Sequence, residues 1–195
     1  MRQVRPLTIV LLVILVPAMI LAGCLGEGSP EAKEKVDEAI GIIASSQILL
    51  EDLVNLNERF NTLGTRYSNV DDTLAEGKSL VEMALMDVSE LESRYQEART
   101  LLLDVTKMDG AGDYAAYALL ALQAVDKELE ALEINRQLLN TVSDMLDVLP
   151  HAEREEQLTY YVEEINRLTE ETTLLMEEAA VVAAEADRYY QEHRL

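Results

Sequence analysis

Apolar residues return every three or four positions along nearly the whole chain after Pro30, and no stretch alternates apolar with polar in the manner of a strand. Pro30, Gly64, the Gly110-Ala111-Gly112 segment and Pro150 punctuate this pattern and divide it into four helical stretches, about 30–63, 69–108, 113–149 and 150–193. The first opens on Ser29-Pro30-Glu31, an N-cap followed by proline at the first helical position. Its stripe runs Ala39, Ile42, Ser46, Leu49, Leu53, Leu56, Phe60 and Leu63, with Gly64 as the expected stop. The second follows Ser68-Asn69-Val70-Asp71, which reads as a capping box. It carries Leu74, Val81, Ala84, Val88, Leu91, Tyr95, Ala98, Leu102 and Val105, with Gly77 on the same face where a neighbouring helix can approach closely.

The third stretch, with Asp113 as its expected cap, carries Ala118, Leu122, Val125, Leu129, Leu132, Leu139, Val142, Leu146 and Leu149. Asn135 and Arg136 interrupt that seam. In the fourth, Leu158, Tyr161, Ile165, Leu168, Thr172, Leu175, Ala179, Val182, Ala186 and Tyr189 hold the spacing for over four heptads, and Val162, Thr169, Met176, Ala183 and Tyr190 widen the face by one column. A face this wide suits a bundle helix better than a two-stranded coiled coil. Short connections make consecutive helices antiparallel. The predicted fold is therefore all-α, a long antiparallel up-down four-helix bundle over 30–195. The competing arrangement is a spectrin-like or extended hairpin that completes its core by oligomerising.

The head of the chain departs from this pattern. Arg2 and Arg5 precede an uncharged apolar run from Leu7 to Ala22, and Leu21-Ala22-Gly23-Cys24 follows, with Cys24 the only cysteine among 195 residues. The run is shorter than the roughly 20 residues a spanning helix needs and matches the core of a signal peptide. Basic start, apolar core and small residues before a lone cysteine together resemble the lipobox of prokaryotic lipoproteins. The resemblance covers residues 1–24 only. It implies that a signal peptidase recognises Leu21, Ala22 and Gly23, that cleavage frees Cys24, and that Cys24 carries the lipid. An uncleaved N-terminal anchor is the competing reading. Either reading places the remaining chain outside a membrane, tethered at its N-terminus. The domain plan is a signal peptide over 1–23, a short tether over 24–29 and the bundle over 30–195.

Composition sharpens this picture. The formal net charge is −21, from 16 Lys plus Arg against 37 Asp plus Glu. Loss of Arg2 and Arg5 with the leader leaves 14 positive residues and a net of −23. Such a chain is a poor partner for nucleic acid, whose backbone is bound by displacing counterions with Lys and Arg. One cysteine makes neither an internal disulfide nor a thiolate metal site. His151 and His193 lack a glutamate three residues earlier, so the Glu-x-x-His pairs of di-iron bundles are absent. Both are expected as solvent-exposed histidines near helix ends. No phosphate-binding, serine-hydrolase, zinc-protease or dinucleotide motif occurs. The expectation is a protein that is not an enzyme and uses no metal or cofactor.

Three groups of residues stand out as candidate sites. Glu156, Glu163, Glu170 and Glu177 repeat every seven residues, with Glu164, Glu171, Glu178 and Glu185 beside them. They form an acidic ridge that serves either as a solvated face or as a docking surface for a basic protein partner. Antiparallel topology gathers Tyr114, Tyr117, Tyr189 and Tyr190 at the end where the first helix starts, as a membrane-proximal cluster or as a plug of the bundle end. Arg188, His193 and Arg194 are placed there too. Asn135 and Arg136, with Thr172 and Ser46, mark a polar layer inside the bundle, used either to set register or to hold a small ligand. The functional expectation is a lipid-anchored, extracytoplasmic interaction or spacer module at the cell surface. The alternative is a ligand-sensing bundle that works through a membrane partner.

Overall fold

A computed structural model describes residues 29–63, 69–151 and 155–195. The lipobox residues Leu21, Ala22, Gly23 and Cys24, and the expected stop Gly64, lie outside them. The described chain is helical, with α1 over Pro30–Ser45, α2 over Gln47–Asn61, α3 over Val70–Val105, α4 over Asp113–Val148 and α5 over Glu155–His193; a 3-10 turn, Leu149–His151, follows α4. No strand occurs among the described residues. Helices α1 and α2 together make the first rod, and α3, α4 and α5 are the second, third and fourth. The rods pack on one another as the expected all-α bundle.

The caps explain where each rod begins. Ser29 precedes Pro30 and its hydroxyl accepts from the Glu31 amide at 3.2 Å. Asn69 caps α3, its side-chain oxygen accepting from the Asp71 amide at 3.1 Å, with Asp71 and Asp72 in the first turn. Asp113 does not cap α4 as the sequence suggested. Gly112 occupies that position at φ 57° and ψ −132°, a region open only to glycine, and the Asp113 carboxylate is turned toward the end of α5.

The first rod is not one continuous helix. Ser46 interrupts it, and the Ser46 hydroxyl donates to the Ile42 carbonyl at 2.8 Å while the Ser45 hydroxyl donates to the same oxygen at 2.9 Å. Back-bonding of this kind bends a helix. Arg94 Nη1 on α3 reaches across to donate to the Ser45 carbonyl at 3.3 Å, which satisfies the backbone at the break.

The rods approach one another unequally. The third and fourth are in the closest register, and the second and third follow. Lys127–Glu178 at 2.8 Å and the edge-on Tyr117–Tyr190 pair, with centroids 5.2 Å apart, set the first of these. That register puts Ala121 at the level of Ala186 and Ala124 at the level of Ala183, all four buried. Small side chains let the two backbones come near. Gly77 acts similarly between the first three rods: a Cβ there would stand 3.4 Å from methyls of both Leu63 and Leu146.

The first and fourth rods show no comparably close approach among the described residues. Leu50 and Leu53 of the first rod and Met176 of the fourth line one cavity over the third rod. Ion pairs join first to second (Lys35–Asp104, 3.0 Å; Arg59–Glu76, 2.8 Å), second to third (Arg99–Asp126, 2.6 Å) and third to fourth, but none joins first to fourth among the described residues. The bundle thus has three tight seams and one loose one.

Pro30–Asn61 contains an 18-residue window of mean hydropathy 1.4, so by length and composition alone this N-terminal segment is weakly compatible with membrane association. In the fold its inner face is spent elsewhere, since Val36, Ile40, Ile43, Leu50, Leu53 and Leu56 are buried in the bundle core.

Candidate functional site

Along α4 the centre of the buried face is the heptad column Tyr114, Ala121, Glu128, Asn135 and Val142. This differs from the expected seam by about one residue. Leu129 is only partly buried and Leu149 is exposed, whereas Glu128 is 5% exposed. The third rod packs against the second and fourth together, so its apolar face is wide and its most leucine-rich column need not be the centre. Arg136 moves the opposite way: it lies at the rim, pairs with Glu133 and stands 3.5 Å from Glu92. It is no part of an interior layer.

Glu128 was not among the expected polar residues, and Tyr95 was expected only as core. The two are partnered by a hydrogen bond at mid-bundle. Burial pushes the Glu128 carboxyl up to about 7, and the Tyr95 hydrogen bond opposes the shift. Tyr95 is raised well above the usual tyrosine range, first by its own burial and then by Glu128. Glu128 Oε2 has no hydrogen-bond partner among the described residues. Register places Ser46, buried at the break in the first rod, in the same layer. The spacing of Glu128 from Asn135 is the signal that finds this column in sequence, once the two polar residues are taken as one heptad apart.

One heptad further along α4, Asn135 is buried and faces Thr172 of α5 across a cavity of about 20 Å³. Leu50, Leu53, Ala131, Leu132 and Met176 complete the walls. Thr172 is 5% exposed and its Oγ1 finds no partner among the described residues. Its neighbours behave otherwise: the Thr169 hydroxyl donates to the Ile165 carbonyl and the Thr173 hydroxyl to the Thr169 carbonyl, both at 2.7 Å. The expected interior polar residues Ser46, Asn135 and Thr172 are thus all buried, in two successive layers.

Tyr114, Tyr117, Tyr189 and Tyr190 gather at one end. Tyr114, Tyr117 and Tyr190 are buried there with Ala32, Val36 and Leu195. Tyr189 is half-buried, stacks on His193 at 4.0 Å between centroids, and donates to Asp113 Oδ1 at 3.3 Å. His193 Nδ1 lies 3.2 Å from Asp113 Oδ2. So His193 is partly exposed yet held on two sides, and the side chain of His151 lies outside the described residues. The Ser29 amide donates to the Gly110 carbonyl at 3.1 Å, which brings the start of the first rod to this same end. Arg194, at φ 53°, and Leu195 close α5: the Arg194 amide donates to the Gln191 carbonyl and the Leu195 amide to that of Tyr190. This is a Schellman closure with a buried leucine after it.

The acidic ridge divides into two columns of different character. Glu164 and Glu171 both bind Arg167, at 2.7 and 2.6 Å, and Glu178 binds Lys127. Arg167 holds Glu164 below the usual carboxylate range. Glu163, Glu170 and Glu177 of the other column, and Glu185 at the end of the first, are exposed and have no ion-pair partner among the described residues. The side chain of Glu156 lies outside them. No grouping of His, Cys, Asp or Glu suited to a metal ion occurs among the described residues. Tyr160, Leu174 and Val181, which the heptad reading left aside, are exposed on the outer side of α5 in one column with Arg167.

Fold and site together define a four-helix bundle with a polar interior column and tyrosines buried at one end. Compared with known protein families, curated proteins and solved structures, the chain matches none.

Proposed function

We propose that this protein is a lipid-anchored, extracytoplasmic helical rod that acts as a non-enzymatic interaction or spacer module at the cell surface. The observation that carries the reading is the order at the head of the chain: Arg2 and Arg5, an uncharged run from Leu7, and Leu21-Ala22-Gly23 before the only cysteine, Cys24. Six positions later, Pro30 opens the first rod. A lipid on Cys24 inserts about 0.8 kcal/mol per buried methylene, and stable anchoring takes more than one chain. Rods of 36 to 39 residues are about 55 Å long. The bundle then projects that far from the surface, with Glu163, Glu170 and Glu177 as a continuous exposed anionic column toward a basic protein partner.

The test is metabolic labelling with a lipid precursor. The full chain takes up label and partitions with membranes, and Cys24→Ser abolishes both. Label retained in Cys24→Ser, or none in the parent chain, refutes the anchor.

The second reading, a ligand-binding bundle that works through a membrane partner, is favoured by one observation. Thr172 presents to a cavity at the loose seam a buried hydroxyl with no partner among the described residues.

A further inference from the structure

We propose that the seam between the first and fourth rods, at Thr172 and Asn135, binds a small neutral amphiphile: one hydroxyl or amide head on a compact apolar body. The inference rests on the ligand-binding reading and is independent of lipid on Cys24. Threonine inside a helix ordinarily returns its hydroxyl to a carbonyl one turn back, as Thr169 and Thr173 do at 2.7 Å. Thr172 does not, although it is 5% exposed, so its Oγ1 is a donor and acceptor without a protein partner among the described residues. A buried polar atom left so is costly and marks a place where something else bonds.

The cavity fixes the size of the head. At about 20 Å³ it admits one water-sized group. Asn135, on the facing rod, is the other polar side chain in its wall. Neither residue is charged, so a neutral head is matched. A carboxylate head would find no cation in the wall, in a chain whose net charge is −21.

The fold fixes where the body goes. Leu50, Leu53 and Met176 line the cavity on the side of the first and fourth rods. Among the described residues these two rods share no ion pair and no extensive close backbone packing. They can part to admit an apolar body without breaking the alanine-lined contact of the third and fourth. The break at Ser46 lies four residues before Leu50, so α2 can tilt at that seam while α1 stays docked.

The probe is 1-hexanol, titrated into the full chain in lipid nanodiscs carrying ¹³C-methyl methionine. Met176 lines the site and reports binding, while Met86, exposed on α3, reports nonspecific solvent effects. The expected result is a saturable shift of the Met176 methyl with none at Met86. Thr172→Val, which keeps shape and removes the hydroxyl, weakens the apparent affinity at least fivefold and leaves the helical circular dichroism unchanged. Three outcomes overturn the proposal: a Met176 shift that never saturates, equal shifts at Met86, or equal affinity in a folded Thr172→Val. If Thr172→Val fails to fold, Thr172→Ser serves instead: it retains the hydroxyl and is expected to retain binding, so loss there overturns the proposal. Lipid labelling of Cys24 is read separately, so failure here leaves the anchor reading standing.

Discussion

The Tyr95 hydroxyl on the second rod is hydrogen-bonded to the Glu128 carboxyl on the third, in the interior of the bundle, and among the described residues burial and Tyr95 are what shift Glu128. A carboxyl taken from water without a cation is held protonated instead of being ionised.

A pH dependence of stability follows. The folded carboxyl titrates at about 7, against 4.5 in an unfolded chain. Between these values the folded state holds the extra proton, so stability falls as pH rises. The contribution is fully present below the unfolded value and lost above the folded one, on the order of 3 kcal/mol in all. Asp87 and Asp187, raised by burial, act with the same sign at lower pH. Urea unfolding at pH 5, 6, 7 and 8 should show stability falling toward pH 8, and Glu128→Gln should flatten that slope by close to one proton. Parallel curves for the two proteins would sink the assignment.

At the bundle end, Tyr190 and Tyr189 are adjacent in sequence but differ in what they hold. Tyr190 is buried edge-on to Tyr117, so Tyr190→Ser should cost about 3 kcal/mol. Tyr189 is half-buried over His193, and Tyr189→Ser should cost under about 1 kcal/mol. Thermal melts of the two variants check the difference. If neither melting temperature moves, the rings do not plug the bundle, and a role at the membrane surface becomes the better account of them.

Arg194 is the only described non-glycine residue at positive φ, 53°. A side chain there costs about 1 kcal/mol relative to glycine. Arg194→Gly should therefore raise the unfolding free energy by roughly that amount, measured by denaturant midpoint at constant slope. A decrease would show that the Arg194 side chain contributes more than its backbone strain removes.

Much of the architecture was legible because it is local. Heptad spacing needs only the chain itself, and the nine stripe positions read for the second rod, Leu74 to Val105, are all buried. Gly77 as a point of close approach follows from residue type and position, and so does the start of the second rod, although its cap is Asn69 where a capping box over Ser68 to Asp71 was expected. The same logic failed where the environment is set by neighbours. Centring the third rod on its leucines placed Leu129 inside and missed Glu128. Arg136 was drawn into the seam, although its guanidinium reaches Glu92 and Glu133 at the rim. Serine is an ordinary helix residue, so the sequence shows no break in the first rod; the break falls where the adjacent Ser45 and Ser46 hydroxyls both donate to the Ile42 carbonyl.

By itself, the sequence determined the helical class, the number of rods, their antiparallel order and the uncharged apolar run before Cys24. Periodicity, caps and breakers act over a few residues, so no knowledge of distant contacts was needed. Tertiary structure alone decided which seam is loose, which carboxyl is buried and which hydroxyl is unpartnered. Those depend on how closely two backbones approach, which alanines permit between the third and fourth rods and leucines and a methionine prevent between the first and fourth. The polar column from Glu128 to Thr172 is where these distances turn a regular heptad text into a specific interior.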